Sequence, residues 1–311
     1  MRIVFMGTPD FSVPSLQALI EAGHEVAAVV AQPDRRRGRG LAAAAPPAAV
    51  AARRAGLPLL QPDRIRRPAF IREMESLAPE LITVVAFGKI LPRSLLDLPP
   101  RGSVNVHASL LPKYRGAAPI QWAILRGESV TGVTTMFMNE RMDEGDVLLR
   151  RETEIEPGEN AGTLGERLSE MGAALLVETI QALEENSLTP TPQDHALASL
   201  APRLKKEDGQ IPWDDPAGNI VNRIRAVTPW PGAFTTFEGR PLKIWEAAVG
   251  EDAGEAAPGT VIGVEGTGIA VVAGDAKTVV ITELQLPGKK RLSARDFLRG
   301  ARISTGAVLG A

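Results

Sequence analysis

The sequence predicts two structural parts, a parallel α/β domain followed by a small antiparallel β-barrel domain. Over residues 1–110, short β-rich runs alternate with amphipathic helical segments. A proline-rich stretch follows at residues 187–216, and beyond it short strands recur between glycine-rich turns. We therefore expect a first domain at residues 1–188, a linker at 189–206 and a barrel domain at 207–311.

The first domain has the element order of a Rossmann-like fold. Apolar strands are predicted at RIVFMG, EVAAVVA, LITVVAF and GSVNVH, with helices near residues 14–22 and 46–55. Strands that alternate with helices pair in parallel, and their ligands bind beyond the carboxyl ends of the strands. Two further strand-like segments, GVTTMFMN and DVLLRRETEI, precede a long helix predicted over residues 163–184, whose start matches the capping pattern T-L-G-E.

The second domain is predicted from five short strands, at residues 233–237, 241–247, 259–264, 268–273 and 278–286. So many short strands in about a hundred residues indicate a small barrel, of the OB-like type. Its tryptophans, Trp213, Trp230 and Trp245, are expected to anchor the core.

Composition limits the class of protein. A chain of 311 residues can form two domains, and the absence of cysteine excludes disulfides, thiolate catalysis and cysteine-ligated zinc. No signal peptide and no apolar run of about 18 residues is found. We expect a cytoplasmic protein that does not associate with membranes.

Charge is segregated along the chain, although the net charge is only -2. Residues 34–72 carry ten arginines against two aspartates, and residues 287–302 carry six basic residues against Asp296. Two basic segments in an otherwise acidic chain favour a polyanionic partner such as a nucleic acid.

The stretch SVNVHASLLP at residues 103–112, together with MDEGD at 142–146, carries the candidate chemistry. Side chains alternate along a strand, so Asn105 and His107 share one face, and Asp143 in the later acidic loop can complete a cluster. An amide donor, an imidazole and a carboxylate suit acyl transfer to an amine. The ordinary alternative is a hydrogen-bonded pair at a strand end, but a position at the ligand edge favours catalysis.

Seven segments of the chain resemble, in order, those of the methionyl-tRNA formyltransferases. They are FMGTPDF at 5–11, AQPDRRRGRG at 31–40, VVAFGKILP at 84–92, VNVHASLLPKYRGAAPIQWAI at 104–124, TGVTTMFMNERMDEGD at 131–146, VTPWPGAF at 227–234 and PGKKRLSARDFL at 287–298. SLLP and MDxGD are shared with the wider folate-dependent formyltransferases. The arginine-rich loop and the second domain indicate the branch that acts on tRNA.

The resemblance implies that formyl passes from 10-formyltetrahydrofolate, a co-substrate, to methionyl initiator tRNA, without a metal ion, and we expect a monomer. It implies that Asn105, His107 and Asp143 form the catalytic triad. Asn105 and a protonated His107 would donate to the formyl oxygen as charge builds there. Asp143 would favour and orient the imidazolium, and a carboxylate there could pass a proton through water to the departing N10.

The resemblance also implies two sets of binding residues. Folate would bind a turn and a facing wall, formed by Ser109, Leu110, Leu111 and Pro112 and by Phe87, Gly88, Lys89, Ile90 and Leu91. The tRNA would contact basic residues of the loop, the linker and the second domain, namely Arg35, Arg36, Arg37, Arg39, Lys205, Lys206, Lys289, Lys290 and Arg291.

Other functions are less consistent with the sequence. A nicotinamide-dependent oxidoreductase would need a G-x-G-x-x-G turn, which the first strand lacks. A non-catalytic RNA-binding protein would leave Asn105, His107 and Asp143 without a role. A purine-pathway formyltransferase would be shorter, and a sugar-nucleotide formyltransferase would lack the arginine-rich loop joined to a basic second domain.

Overall fold

The computed structural model describes residues 1–37, 42–265, 268–300 and 303–310. The chain divides into two compact units. The first unit comprises Met1–Pro119, Val130–Glu154 and Gly165–Pro202, and the second comprises Ile120–Ser129, Ile155–Leu164 and the chain from Arg203 onward. The boundaries predicted at residues 188 and 206 stay a prediction.

The strands of the first unit are short, and several coincide with apolar runs of the sequence. In chain order they are β1 (Arg2–Gly7), β2 (Glu25–Val30), β3 (Arg35–Arg37), β4 (Ala42–Ala44), β5 (Leu59–Leu60), β6 (Leu81–Val85), β7 (Ser103–His107), β8 (Arg115–Gly116), β9 (Val130–Phe137), β10 (Val147–Glu154) and β11 (Leu200–Ala201). The helices up to residue 184 are α1 (Val13–Glu21), α2 (Pro47–Arg54), α3 (Pro68–Ser76), α4 (Arg93–Leu96), α5 (Pro119–Leu125) and α6 (Ala161–Glu184).

The main sheet of the first unit is mostly parallel, which confirms the predicted α/β fold class. Within the described ranges its order is β10-β9-β7-β6-β1-β2-β5. Strands β1, β2, β5, β6 and β7 pair in parallel, whereas β9 and β10 are added antiparallel at one side. The carboxyl ends of the parallel strands therefore lie at one edge, where a ligand site is expected.

Both faces of this sheet are buried. Ile3 and Phe5 on β1 pack in one core cluster, while Val4 and Met6 pack in a second cluster. This split follows from the period of two along a strand. Each buried side chain of this size contributes roughly 1.5–3 kcal/mol, so the near-continuous apolar runs of these strands stabilise both layers.

The second unit contains an antiparallel sheet, consistent with the predicted small barrel. Its strands are β12 (Ala233–Phe237), β13 (Arg240–Asp252), β14 (Val261–Glu265), β15 (Gly268–Val272), β16 (Lys277–Gln285) and β17 (Leu292–Ser293), and its further helices are α7 (Ala217–Ala226) and α8 (Ala294–Leu298). In the described part of this sheet the order is β12-β13-β16-β15-β14, with β17 paired to β16. Helix α7, which the sequence analysis did not predict, buries Ile220 and Ile224.

The tryptophans of the second unit differ in environment. Trp213 is buried and its Nε1 donates to the Thr235 hydroxyl at 2.9 Å, as a core anchor should. The expectation for Trp230 is wrong, because this side chain is 51% exposed between Pro229 and Pro231 after α7. Trp245 is half-buried.

The long helix α6 begins earlier than the sequence predicted, because its cap is Asn160. The Asn160 Oδ1 accepts hydrogen bonds from the backbone N–H groups of Gly162 at 2.9 Å and Thr163 at 3.1 Å. The first turn of a helix leaves N–H groups without partners, and an asparagine side chain satisfies them. Each helix that the described ranges contain is too short or too polar to cross a membrane.

Replacing Asn160 with alanine should lower the free energy of unfolding by about 1 kcal/mol, because two N–H donors lose their acceptor. Urea unfolding followed by circular dichroism measures the difference. Asn160→Asp is the matched control, since a carboxylate oxygen accepts the same bonds. Equal stability of the alanine variant and the native protein would contradict this account of the helix start.

Candidate active site

Strand β7 has one apolar and one polar face. Val104 and Val106 pack in the core cluster that includes Leu176 on α6. Asn105 and His107 alternate with them and therefore point to the opposite side of the sheet. Both polar residues are nonetheless largely buried, with 9% and 6% of their surface exposed. A buried polar side chain needs a partner in the protein or a ligand.

The imidazole of His107 is held from both sides. Its Nε2 lies 2.9 Å from the carbonyl oxygen of Tyr114. Because a carbonyl can only accept, Nε2 carries the hydrogen and donates it. The other nitrogen, Nδ1, lies 3.7 Å from Asp143 Oδ2, which is ion-pair distance but too long for a direct hydrogen bond. The structure thus brings the three predicted catalytic residues into one part of the first unit.

The segment between β9 and β10 brings Asp143 to this position. Asp143 Oδ2 accepts a hydrogen bond from the backbone N–H of Gly116 at 2.8 Å. Both partners of the imidazole have left-handed backbone conformations, with φ of 55° at Asp143 and 62° at Tyr114. Such conformations cost roughly 1–3 kcal/mol at a residue with a side chain, so the surrounding structure must stabilise them.

Gln193 and Arg115 provide that support, and sequence reasoning missed both. Gln193 Nε2 donates to the carbonyls of Asp143 at 2.9 Å and Gly145 at 2.7 Å. Its Oε1 accepts from Nη2 of the buried Arg115 at 2.7 Å and from Nε at 3.1 Å. Arg115 also lies 3.6 Å from Glu144. A carboxylate and an amide therefore share one guanidinium behind the Asp143 loop.

Gly145 is required for the close approach of this loop to β9. A Cβ atom at this position would lie 1.7 Å from the carbonyl oxygen of Phe137, well inside the distance that atoms tolerate. The G of MDEGD therefore has a steric role, which lets the loop return over β9 and bring Asp143 to His107.

The Asn105 amide is available to a ligand. Within the described part of the chain its side chain has no hydrogen-bond partner, although it is buried to 9% exposure. Its amide atoms are not among the fully buried polar atoms that lack a partner, so they can be reached from outside the protein. An oxygen of a bound substrate would supply the missing acceptor.

The predicted folate-binding turn is fixed to β9 through one threonine. Thr134 Oγ1 donates to the Ser109 carbonyl at 2.7 Å and accepts from the Leu111 N–H at 3.2 Å. The Ser109 hydroxyl donates to the Lys113 carbonyl at 2.7 Å. Leu111 is buried, while Leu110 and Pro112 are partly exposed, and a folate-binding role for the turn stays a prediction.

The predicted facing wall, residues 87–91, is only partly exposed. The side chains of Phe87 and Leu91 are buried in the core, whereas Gly88 is exposed and Ile90 is 58% exposed. Lys89 Nζ donates to the carbonyls of Pro62 and Asp63, at 3.1 and 3.0 Å.

Partial burial lowers the pKa of Lys89, and the nearby charge of Arg35 lowers it further, against an opposing effect of Asp63. The ammonium group of Lys89 already donates hydrogen bonds to two carbonyls of the protein. Any contact of these wall residues with folate stays a prediction.

The predicted tRNA-binding residues occupy several segments. Arg35 is exposed; Arg36 and Arg37 belong to β3, and Arg39 lies outside the described residues. The four lysines of the set, Lys205, Lys206, Lys289 and Lys290, are all exposed. Arg291 differs, because it pairs with Glu283 and lies over the Trp245 ring, 5.3 Å from its centroid. Part of its charge is therefore already compensated.

The described residues offer no ready-made site for a metal ion. Among them, no group of three or more histidine, aspartate or glutamate side chains is arranged to hold a metal ion.

Replacing Gln193 with alanine should lower the free energy of unfolding by about 2 kcal/mol, because the buried Arg115 loses its amide acceptor and two carbonyls lose a donor. His195→Ala is the matched control. His195 also contacts Arg115, at 3.1 Å, but it is 61% exposed, so we expect a change within about 0.5 kcal/mol. Equal urea midpoints for both variants would contradict the supporting role of Gln193.

Comparison with known proteins gives a family for both units. The family described as "Formyl transferase" matches residues 1–180, and "Formyl transferase, C-terminal domain" matches residues 203–302. A methionyl-tRNA formyltransferase from Geotalea uraniireducens is 52% identical over 100% of this chain and 98% of its own length. Another from Solibacter usitatus is 50% identical over 100% of this chain and 99% of its own.

Solved structures share the fold at low identity. WlaRD, a sugar 3N-formyl transferase crystallised with dTDP and 5-N-formyl-THF, has a TM-score of 0.67 at 18% identity, over 93% of this chain and 99% of that chain. HypX from Aquifex aeolicus in complex with tetrahydrofolic acid has a TM-score of 0.65 at 20% identity. The match covers 99% of this chain and 50% of the HypX chain.

Matches to both domains, and relatives about half identical from end to end, lead to one conclusion. The chain belongs to the methionyl-tRNA formyltransferase family.

Proposed function

We propose that this protein transfers the formyl group of 10-formyltetrahydrofolate to the amino group of methionine on initiator tRNA, which gives N-formylmethionyl-tRNA for translation initiation. The observation that carries the site assignment is the convergence of Asn105, His107 and Asp143, with Nδ1 of the histidine 3.7 Å from the carboxylate. We also propose that the protein acts in the cytoplasm as a monomer, without a metal ion.

The reaction forms one bond to the formyl carbon and breaks another. The methionine nitrogen attacks the formyl carbon, and the carbonyl electrons move to the formyl oxygen. When the carbonyl re-forms, the bond from carbon to N10 breaks. The amine loses a proton and N10 gains one, so the protein must stabilise an oxyanion and move a proton between two nitrogens.

Asn105 and His107 are proposed to stabilise the oxyanion. The Asn105 side chain is largely buried and has no hydrogen-bond partner among the described residues, so its amide can donate without first breaking a bond within the protein. His107 donates Nε2–H to Tyr114, which leaves Nδ1 as the nitrogen that can be protonated and face the substrate. A preorganised donor of this kind is worth roughly a hundred- to a thousandfold in rate.

Asp143 is proposed to handle the proton. Its Oδ2 is occupied by the Gly116 N–H and faces His107. Its Oδ1 makes no hydrogen bond within the residues that the structure describes, so this oxygen is available to receive the proton from the amine, directly or through water.

The amine acceptor is proposed to be a charged tRNA rather than a sugar nucleotide. The likeness to a sugar formyltransferase is 18% in sequence and concerns the fold. Relatives named methionyl-tRNA formyltransferase match the chain from end to end, including the second domain. Lys205, Lys206, Lys289 and Lys290 in the second unit are exposed and suit phosphate contacts, which position RNA without reading its sequence.

Replacing His107 with alanine should lower kcat by about a hundredfold or more, because one oxyanion donor is lost. The affinity for tRNA should stay within about twofold. Purified protein, formylated folate and charged initiator tRNA are mixed, and the released amino acid is analysed by mass. His24→Ala, distant in sequence from the site, is the control and should retain kcat. Equal kcat in the native protein and the His107 variant would end the assignment.

Replacing Arg35, Arg36, Arg37 and Arg39 with glutamine should raise KM for tRNA at least about tenfold and flatten its salt dependence. Each phosphate contact that is lost removes roughly 0.7–0.9 from the log–log salt slope, because fewer counterions are released. The control replaces Arg93, Arg150, Arg203 and Arg240, which are exposed and lie outside both basic segments. The same slope in both variants would place the tRNA elsewhere.

A further inference from the structure

The carboxyl edge of the parallel sheet is cross-linked by residues that follow four different strands. Thr8 follows β1, Gln32 follows β2, Gln61 follows β5 and Phe87 follows β6. The carbonyl of Phe87 accepts from Thr8 Oγ1 at 3.0 Å and from Gln32 Nε2 at 2.8 Å. Gln61 Nε2 donates to the Gln32 carbonyl at 3.0 Å. Gln32 therefore stands at the centre of this network.

The two ends of the Gln32 amide bind two different segments. Its nitrogen donates to Phe87, the first residue of the predicted folate wall. Its oxygen accepts from Nη2 of Arg35 at 2.6 Å, a charge-assisted bond and thus among the stronger kinds. Arg35 is the first arginine of the loop that is proposed to contact tRNA. One side chain thus joins the two substrate-binding segments.

The contact between Gln32 and the wall is close. Gly88 has φ of 79°, and a Cβ atom there would lie 2.7 Å from Gln32 Nε2. A glycine is needed for the wall to approach the amide in this way. The charge of Arg35 also contributes to the lowered pKa of Lys89, which places the loop's first arginine within electrostatic reach of the wall.

We propose that Gln32 couples the two substrates, so that tRNA bound at the arginine-rich loop strengthens folate binding at the wall, and the reverse. This inference rests on the proposed function. A guanidinium has five N–H donors, and Gln32 takes one of them. Arg35 can therefore bind a phosphate with the others while it keeps Gln32. A phosphate would fix the guanidinium, the guanidinium would fix the amide, and the amide would fix the Phe87 carbonyl and Gly88.

Calorimetric titration tests the coupling, with 5-formyltetrahydrofolate as an unreactive probe and uncharged initiator tRNA as the partner. In the native protein, the Kd of the probe should fall at least about fivefold when tRNA is saturating, a usual size for coupling between sites. The Kd of tRNA should fall by the same factor when the probe is saturating, because coupling is reciprocal. The ratio of the Kd of the probe without tRNA to its Kd with saturating tRNA measures the coupling. A ratio of one in the native protein would overturn the proposal.

Two variants of Gln32 separate its two bonds. Gln32→Ala removes both, and Gln32→Glu keeps an acceptor for Arg35 but has no N–H for Phe87. Both should reduce the ratio to within about twofold of one. Gln61→Ala is the matched control, because it removes the bonds from Gln61 to the Gln32 carbonyl and to Asp34 but leaves both side-chain bonds of Gln32 in place, and it should keep the native ratio. A native ratio in Gln32→Glu, or loss of coupling in Gln61→Ala, would overturn the role of Gln32.

Formyl transfer by the native protein separates this inference from the proposed function. No transfer to charged initiator tRNA would overturn the function and the coupling with it. Transfer without any coupling would overturn the coupling and leave the proposed function standing. Thermal melting of each variant shows that the protein is folded, and a folded Gln32→Glu variant keeps the test decisive if Gln32→Ala does not fold.

Discussion

The hydrogen bond from His107 Nε2 to the Tyr114 carbonyl, 2.9 Å long, is the interaction on which the rest of the site depends. It fixes the tautomer and the plane of the ring, so that Nδ1 lies on the side of Asp143 but makes no direct hydrogen bond to it and stays available to a substrate. Without this bond the imidazole could rotate about its side-chain bonds. Nδ1 would then no longer be held 3.7 Å from the Asp143 carboxylate. Strand β7 supplies the other half of this constraint, since its valines anchor the opposite face in the core.

The backbone around the histidine is held in conformations that it would not adopt alone. Tyr114 and Asp143 have positive φ values, and each presents an oxygen to the ring. The free energy that these conformations cost, roughly 1–3 kcal/mol each, is offset by a polar network in which Gln193 bonds the Asp143 loop and Arg115 bonds Gln193. The site is therefore preorganised, and its donors need little rearrangement when charge develops on a substrate.

Local pattern was enough to predict β1, β2, β6 and β7, because their apolar runs are distinct, and the period of two along β7 gave the shared face of Asn105 and His107. It was not enough for features that depend on distant contacts. Gln193 lies in a proline-rich stretch without periodicity, and its partners are about 50 and 80 positions away. Similarly, T-L-G-E is a plausible helix start, but Asn160, three residues earlier, caps the helix.

The two oxygens of Asp143 and the two nitrogens of His107 divide the work in a consistent way. One atom of each pair is committed to the protein, Oδ2 to the Gly116 N–H and Nε2 to the Tyr114 carbonyl. The other atom of each, Oδ1 and Nδ1, remains for the substrate. A group that acts on a substrate must be held firmly yet keep a lone pair or a proton free. With one anchor on each side chain, the site can exchange protons with a bound amine without losing its geometry.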